Sequence, residues 1–282
     1  MTPVPPGLHF PSPYARPSVP PSKAVLVDVP DGARVATFVY EPEGPATSAV
    51  PVLMLHGNGE EHGIFGPTID AVLETGRSVI AVDSRAQGKS TRGTARLTYE
   101  LLADDALRCA DAVGARRFHL LGFSDGAIEA LVIARDHGAR VASLVAVGAN
   151  LTPDGVLDDG WDMEGIAAEN EDWAAWADSP ECHLPPELLS PTPAEARATA
   201  DLLRLMVEEP HLEARSLSAI GCPTTVMVGE HDCIDDWETY RIVSAIPDAT
   251  LYVSPENGHS LPKHAPGELT HVLLDTIAKA ES

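Results

Sequence analysis

Short Val- and Ile-rich runs recur along the chain, and most of the segments between them are of helix length. The runs occupy residues 25–29, 35–39, 52–55, 79–82, 118–121, 141–147, 224–228 and 251–253. The first two flank the turn residues Pro30-Asp31-Gly32, a pattern that predicts an antiparallel hairpin. From the third onward the runs are almost continuously apolar, as strands buried on both faces are. Helices are predicted over 65–74, 99–113, 125–135, 237–245 and 267–280. Strands alternating with helices bury their apolar surface as a mostly parallel sheet with helices on both faces. The expected fold is therefore α/β, with eight strands.

Two stretches depart from that rhythm. Residues 1–22 hold eight prolines, which resist helix and sheet and favour extended chain. This arm is read either as loose or as a strap over the body. Residues 151–215 contain Trp161, Trp173 and Trp176, several prolines and no strand pattern. Within them, residues 192–209 predict a helix with Pro193 in its first turn. A helical insertion between two parallel strands is placed over the C-terminal strand ends, where such sheets bind ligands. The expected division is an arm at 1–22, a core at 23–150 and 216–282, and a small helical cap at 151–215.

Charge narrows the partners. Asp and Glu total 42 against 19 Lys and Arg, a net charge of −23 with histidines neutral. That balance lacks the electrostatic footprint for nucleic-acid phosphates or anionic membrane surfaces, so neither partner is expected. The four cysteines, Cys109, Cys182, Cys222 and Cys233, are widely spaced and form no C-x-x-C, so no metal or redox motif is read from them. No apolar run reaches the ~20 residues of a membrane span, and the N-terminal residues lack a signal-peptide pattern. A cytoplasmic location is expected.

Gly122-Phe123-Ser124-Asp125-Gly126 fits G-x-S-x-G, and it sits between a buried-strand run and a helix. Strand, sharp turn and helix are the setting this motif requires. Ser124 then projects at a helix N-terminus, where backbone dipoles favour a developing oxyanion. A serine hydroxyl needs a base. His259, in Asn257-Gly258-His259-Ser260 after the last strand run, has the best address among 11 histidines; His231, His264 and His271 are weaker. Asp232, just after the run 224–228, is the candidate that orients the imidazole, with Asp235 and Asp236 as alternatives. The order Ser124, Asp232, His259 is the Ser–acid–His chain order of α/β-hydrolases. Two oxyanion donors are expected: the backbone N–H of Asp125 and that of Asn58, in His56-Gly57-Asn58-Gly59. His56 is read as a support for that loop.

On these residues the chain, over 23–282, resembles serine hydrolases of the α/β-hydrolase superfamily. Asp83-Ser84-Arg85-Ala86-Gln87-Gly88-Lys89-Ser90 resembles the family's D-x-R-G-x-G-x-S turn, with Ala86 where glycine is usual. The combination looks like small-cap bacterial members, and the S-D-G elbow is similar to valacyclovir-hydrolase-like enzymes. The resemblance implies a two-step acyl transfer through Ser124 with no metal or organic cofactor. A serine in place of aspartate at the elbow argues against epoxide hydrolases and haloalkane dehalogenases.

The expected activity is hydrolysis of a small carboxylic ester. Amidase or aminopeptidase, thioesterase, carbon–carbon hydrolase and perhydrolase reactions remain on the same residues, and a non-enzymatic ligand-binding member is a third class. Asp125 is read as a helix-start carboxylate or as the partner of a substrate ammonium. Glu60, His62, Trp161, Trp173, Trp176 and Met206 are candidate pocket residues, with solvated or core-packing roles as the alternatives. Residues 151–215 carry 16 acids and three bases, which suggests a negative field near the site entrance favouring cationic substrates. Monomer and homodimer are both left open.

Overall fold

The β1–β2 hairpin, β1 (Lys23–Asp28) and β2 (Arg34–Tyr40), opens a single sheet in the computed structural model, which describes residues 3–7, 13–157 and 160–282. The other strands are β3 (Val52–Leu55), β4 (Val79–Asp83), β5 (Phe118–Phe123), β6 (Val141–Val147), β7 (Thr224–Gly229) and β8 (Ala249–Ser254). Their order across the sheet is β1-β2-β4-β3-β5-β6-β7-β8. β2 pairs antiparallel with β1 and β4, and every pairing from β4 to β8 is parallel. The predicted hairpin, strand count and mostly parallel sheet are all present.

Helices α1 (Gly66–Glu74), α2 (Tyr99–Ala112), α3 (Asp125–Asp136), α4 (Met163–Ala177), α5 (Pro193–Glu208), α6 (Asp236–Ala245), α7 (Leu261–His264) and α8 (Pro266–Glu281) complete the order. Successive residues of a strand point to opposite faces, and β3 shows why its run is wholly apolar. Leu53 and Leu55 pack with Leu102 of α2 and Leu131 of α3. Val52 and Met54 pack with Ile69 of α1 and Leu273 of α8. One sheet thus carries two cores. No helix among the described residues is long and apolar enough to cross a membrane.

Between β6 and β7 the chain builds α4 and α5, which pack on each other. The α5 start is a capping box: the Thr192 hydroxyl accepts from the Glu195 N–H, and the Glu195 carboxylate accepts from the Thr192 N–H. Asp162 caps α4 by accepting from the Gly165 N–H. Ala167, Ala200 and Leu203 fill one end of their interface, and Trp173, Ala174, Leu189 and Ala196 fill the other. Only α5 was readable as a helix beforehand. Asp158 and Asp159 of this stretch, and residues 1, 2 and 8–12 of the arm, lie outside the described residues.

The described part of the arm lies against the body. The Tyr14 hydroxyl donates to Glu61, Arg16 pairs with Glu61 at 2.7 Å, and the Ser18 N–H donates to Asp70 of α1 at 3.0 Å. Asn170 of α4 donates to the Gly7 carbonyl at 3.4 Å. The arm therefore touches both the core and the insertion. It passes so close to Gly66 that a Cβ there would land on the Ala15 carbonyl oxygen. Gly66 itself has helical backbone angles, so alanine there disturbs the arm and not the helix. Gly66→Ala should speed chymotryptic cleavage after Tyr14 while lowering Tm by no more than about 4 °C. Wild-type cleavage kinetics in that variant would show the arm is held by other means.

Candidate active site

The elbow between β5 and α3 leaves no room for side chains at its glycines. A Cβ on Gly122 would meet the Gly126 carbonyl, and one on Gly126 would meet the Leu55 carbonyl of β3. The turn holds Ser124 at φ 54° and ψ −120°, a strained conformation for a residue with a Cβ. The Ser124 N–H donates to the Val147 carbonyl of β6 at 2.8 Å, and its carbonyl accepts from the Ala127 and Ile128 N–H groups of α3. The side chain is thereby fixed at the C-terminal end of the sheet.

Three loops at that end bring the other candidates together. His259, between β8 and α7, places Nε2 2.9 Å from Ser124 Oγ and Nδ1 2.7 Å from Asp232 Oδ1. Asp232, after β7, also accepts from the Ile234 N–H at 3.1 Å and the Gly229 N–H at 3.3 Å. Its side chain is 1% exposed. The His259 ring lies beside Phe123, centroids 5.1 Å apart, and Gly148 leaves the space its edge occupies. Burial drives the His259 pKa down, but the hydrogen bond to Asp232, with a smaller contribution from Cys233, outweighs it and the net direction is up. Burial raises the Asp232 pKa, and the bond to His259 reverses that to a net fall. A hydroxyl on an imidazole whose far nitrogen is held by a carboxylate is the arrangement that makes a nucleophile. Asp235 caps α6 by accepting from the Trp237 N–H at 2.7 Å, and Asp236 is that helix's first residue.

The loop after β3 is braced from beneath. His56 is buried; its Nδ1 lies 2.8 Å from the Gly57 carbonyl, and its Nε2 accepts from the Ser84 N–H at 3.0 Å. Burial lowers the pKa of this imidazole. Gln87 accepts from the Gly59 N–H at 2.6 Å. Gln87 comes from the 83–90 turn, where Ala86 stands at φ 61°, the left-handed conformation that explains the usual glycine. Neither the Asn58 nor the Asp125 backbone N–H has a hydrogen-bond partner among the described residues. Asp125 is the first helical residue, where an amide lacks an intrahelical partner.

A cavity of about 850 Å³ opens over Ser124 between the core and the insertion. Of the sequence candidates, Asn58, Glu60, Asp125, Trp161 and Met206 line it. Three candidates do not. His62 donates its backbone N–H to Asp83 at 2.8 Å, holds Asp83 again through Nδ1 and stacks on Phe38, so it braces the core. Trp173 is buried between α4 and α5, its indole N–H donating to the Pro191 carbonyl at 2.8 Å, and Trp176 packs against it. Both tryptophans hold the insertion together.

Several cavity residues were missed. The Tyr99 hydroxyl donates to Asp125 Oδ1 at 2.9 Å, and Asn58 Nδ2 donates to Oδ2 at 2.8 Å. Asp125 is 5% exposed, and burial pushes its carboxyl pKa up to about 6 against the pull of these two donors. Tyr99 begins α2 after the Thr98 cap, and nothing local to it signals a cavity 26 residues away. Cys233 and Glu209 also line the cavity. Glu60 pairs with Lys263, which also lies near the Tyr14 ring, so the arm reaches the cavity's edge through one ion pair.

The chain belongs to the α/β-hydrolase superfamily, and it is a hydrolase of that fold. A family model described as the alpha/beta hydrolase fold matches residues 50–175. “Putative carbamate hydrolase RutD” of Variovorax paradoxus is 30% identical over 261 residues, covering 86% of this chain and 97% of that one. The serine hydrolase BPHL of Homo sapiens is 28% identical over 233 residues, covering 79% and 76%. Among solved structures, the esterase EaEST from Exiguobacterium antarcticum superposes with a TM-score of 0.70 at 21% identity, covering 92% of this chain and 100% of that one.

Asp232 should hold the His259 titration above the ordinary 6.5. An NMR pH titration of the ring protons should show that elevation, and Asp232→Asn should lower it. An unchanged midpoint would mean that Asp232 does not stabilise the imidazolium.

Proposed function

We propose that this hydrolase cleaves a small carboxylic ester through an acyl-enzyme on Ser124, with a preference for cationic or amino-acid esters. The observation that carries this reading is the continuous chain Ser124 Oγ, His259 and Asp232, with links of 2.9 and 2.7 Å. His259 Nε2 takes the hydroxyl proton as Ser124 Oγ attacks the ester carbonyl, and Asp232 stabilises the imidazolium. The backbone N–H groups of Asn58 and Asp125 receive the oxyanion. As the tetrahedral intermediate collapses, the C–O bond to the leaving alcohol breaks and His259 protonates that oxygen. Water then attacks the acyl-enzyme with His259 again as base, releasing the acid and Ser124.

The substrate preference rests on the cavity's charge. Glu60, Asp125, Glu209 and Asp232 line it, and no Lys or Arg does among the described residues. Glu60 and Asp232 are paired to Lys263 and His259, and Glu209 lies 3.7 Å from Arg96. Asp125 has only neutral donors, and each carboxylate oxygen retains acceptor capacity. A substrate ammonium beside it would favour the ionised carboxylate that burial disfavours. The α4–α5 insertion then acts as the cap, its own arginines already paired: Arg197 with Asp178, Arg204 with Glu171 and Arg215 with Glu213.

Ser124→Ala should lower kcat by at least about 10⁴-fold toward p-nitrophenyl esters. For an α-amino ester and its desamino twin, wild-type kcat/KM should favour the amino form. Asp125→Asn should lower kcat/KM for the amino ester by roughly 10–100-fold, the worth of a hydrogen bond to a charged group, and spare the twin. Equal values for both esters, unmoved by the substitution, would refute the cationic preference. The likeness to RutD favours a second reading, a carbamate or amide as the scissile bond. Turnover of a matched carbamate faster than the ester would select it.

A further inference from the structure

We propose that Asp232, Cys233 and His259 together form a binding site for a thiophilic divalent cation such as Zn²⁺, and that its occupancy switches the hydrolase off. The inhibitory part rests on the proposed role of His259; the metal site does not. One carboxylate oxygen of Asp232, the Cys233 sulfur and one ring nitrogen of His259 lie within 4.8 Å of one another. Zinc bonds nitrogen and oxygen at about 2.0–2.2 Å and sulfur at about 2.3 Å, so tetrahedral donors stand roughly 3.4–3.7 Å apart. Small side-chain rotations close that difference.

Three features suit the site to an ion. Cys233 is a free thiol, only partly buried, and it lines the cavity, so an ion can reach it through the cavity mouth. The Asp232 carboxylate is held by the Ile234 and Gly229 N–H groups, which fix its orientation as outer hydrogen bonds do around metal ligands. The acidic cavity raises the local concentration of cations. A thiolate, an imidazole and a carboxylate are a donor set for zinc, and the cavity leaves a fourth position open to water. Cys109, Cys182 and Cys222 have no such grouping among the described residues.

Binding and catalysis compete for the same atoms. The thiol loses one proton to solvent as its sulfur takes the metal. If the metal takes His259 Nδ1, the ring proton moves to Nε2, and that nitrogen can no longer accept from Ser124. If it takes Nε2, the lone pair facing Ser124 is consumed. Either geometry leaves the hydroxyl without a base.

The full chain titrated with CdCl₂ should develop a cadmium–thiolate charge-transfer band in the ultraviolet. The band should persist in Ser124→Ala, Cys182→Ala and Cys222→Ala and be lost in Cys233→Ala. Should Cys233→Ala not fold, Cys233→Ser supplies the same comparison. With a p-nitrophenyl ester, the half-inhibitory ZnCl₂ concentration should rise at least about tenfold in the Cys233 variant, the lower end of what even indirect changes around a metal cost. EDTA should restore the wild-type rate. A band that survives loss of Cys233, or inhibition by zinc that ignores it, would overturn the proposal. The absorption reads the ion without turnover, so failure of the metal site and failure of the ester reading are separable.

Discussion

The N-terminus of α3 is pressed against β3 and β5 so closely that no Cβ fits at Gly122 or Gly126, and the site depends on this contact. It forces the chain through the strained turn at Ser124 and aims the hydroxyl out of the sheet's C-terminal end. It brings the first amide of α3 beside the loop that carries Asn58. It also buries Asp125 under Asn58 and Tyr99. The strain is held in place by parallel strands packed on both faces: β3, β5 and β6 are buried along their whole length.

Asp125 contributes to the proposed reaction twice and in opposite electrical senses. Its amide, at the positive end of α3, faces the oxyanion. Its carboxyl group faces the cavity between neutral donors, where burial disfavours the ionised form and a cation would favour it. In the proposed reaction, recognition and chemistry share the start of one rigid helix, which would favour precise placement of a small substrate.

The sheet and the Ser124, Asp232 and His259 grouping were legible in sequence because both obey local rules. Buried strands write continuous apolar runs, and Ser124 and Asp232 follow two of them, β5 and β7. His259 follows the run of β8, which was read as buried on both faces but is the sheet's edge, with Leu251 and Val253 about half exposed. The partners of Asp125 were not legible: Asn58 and Tyr99 lie 67 and 26 residues away, and only the packing of one loop against the starts of α2 and α3 unites them. Helix α4 was hidden by its many acids and weak apolar stripe. Trp173, Trp176 and His62 stay open between pocket wall and other roles for one reason: polar tips on large rings fit a pocket wall and a braced core equally well in sequence. Hydrogen bonds to Pro191 and Asp83 decide for the core. The arm's path needed Gly66, whose missing side chain makes room for it.

The proposed chemistry requires Ser124 as the nucleophile, and intact-protein mass spectrometry after exposure to a fluorophosphonate tests that most directly. One phosphonyl group should be added per chain, located by peptide mapping on Ser124. Labelling should slow strongly in His259→Ala and vanish in Ser124→Ala. An unmodified wild-type chain, or an adduct on any other residue, would contradict the account.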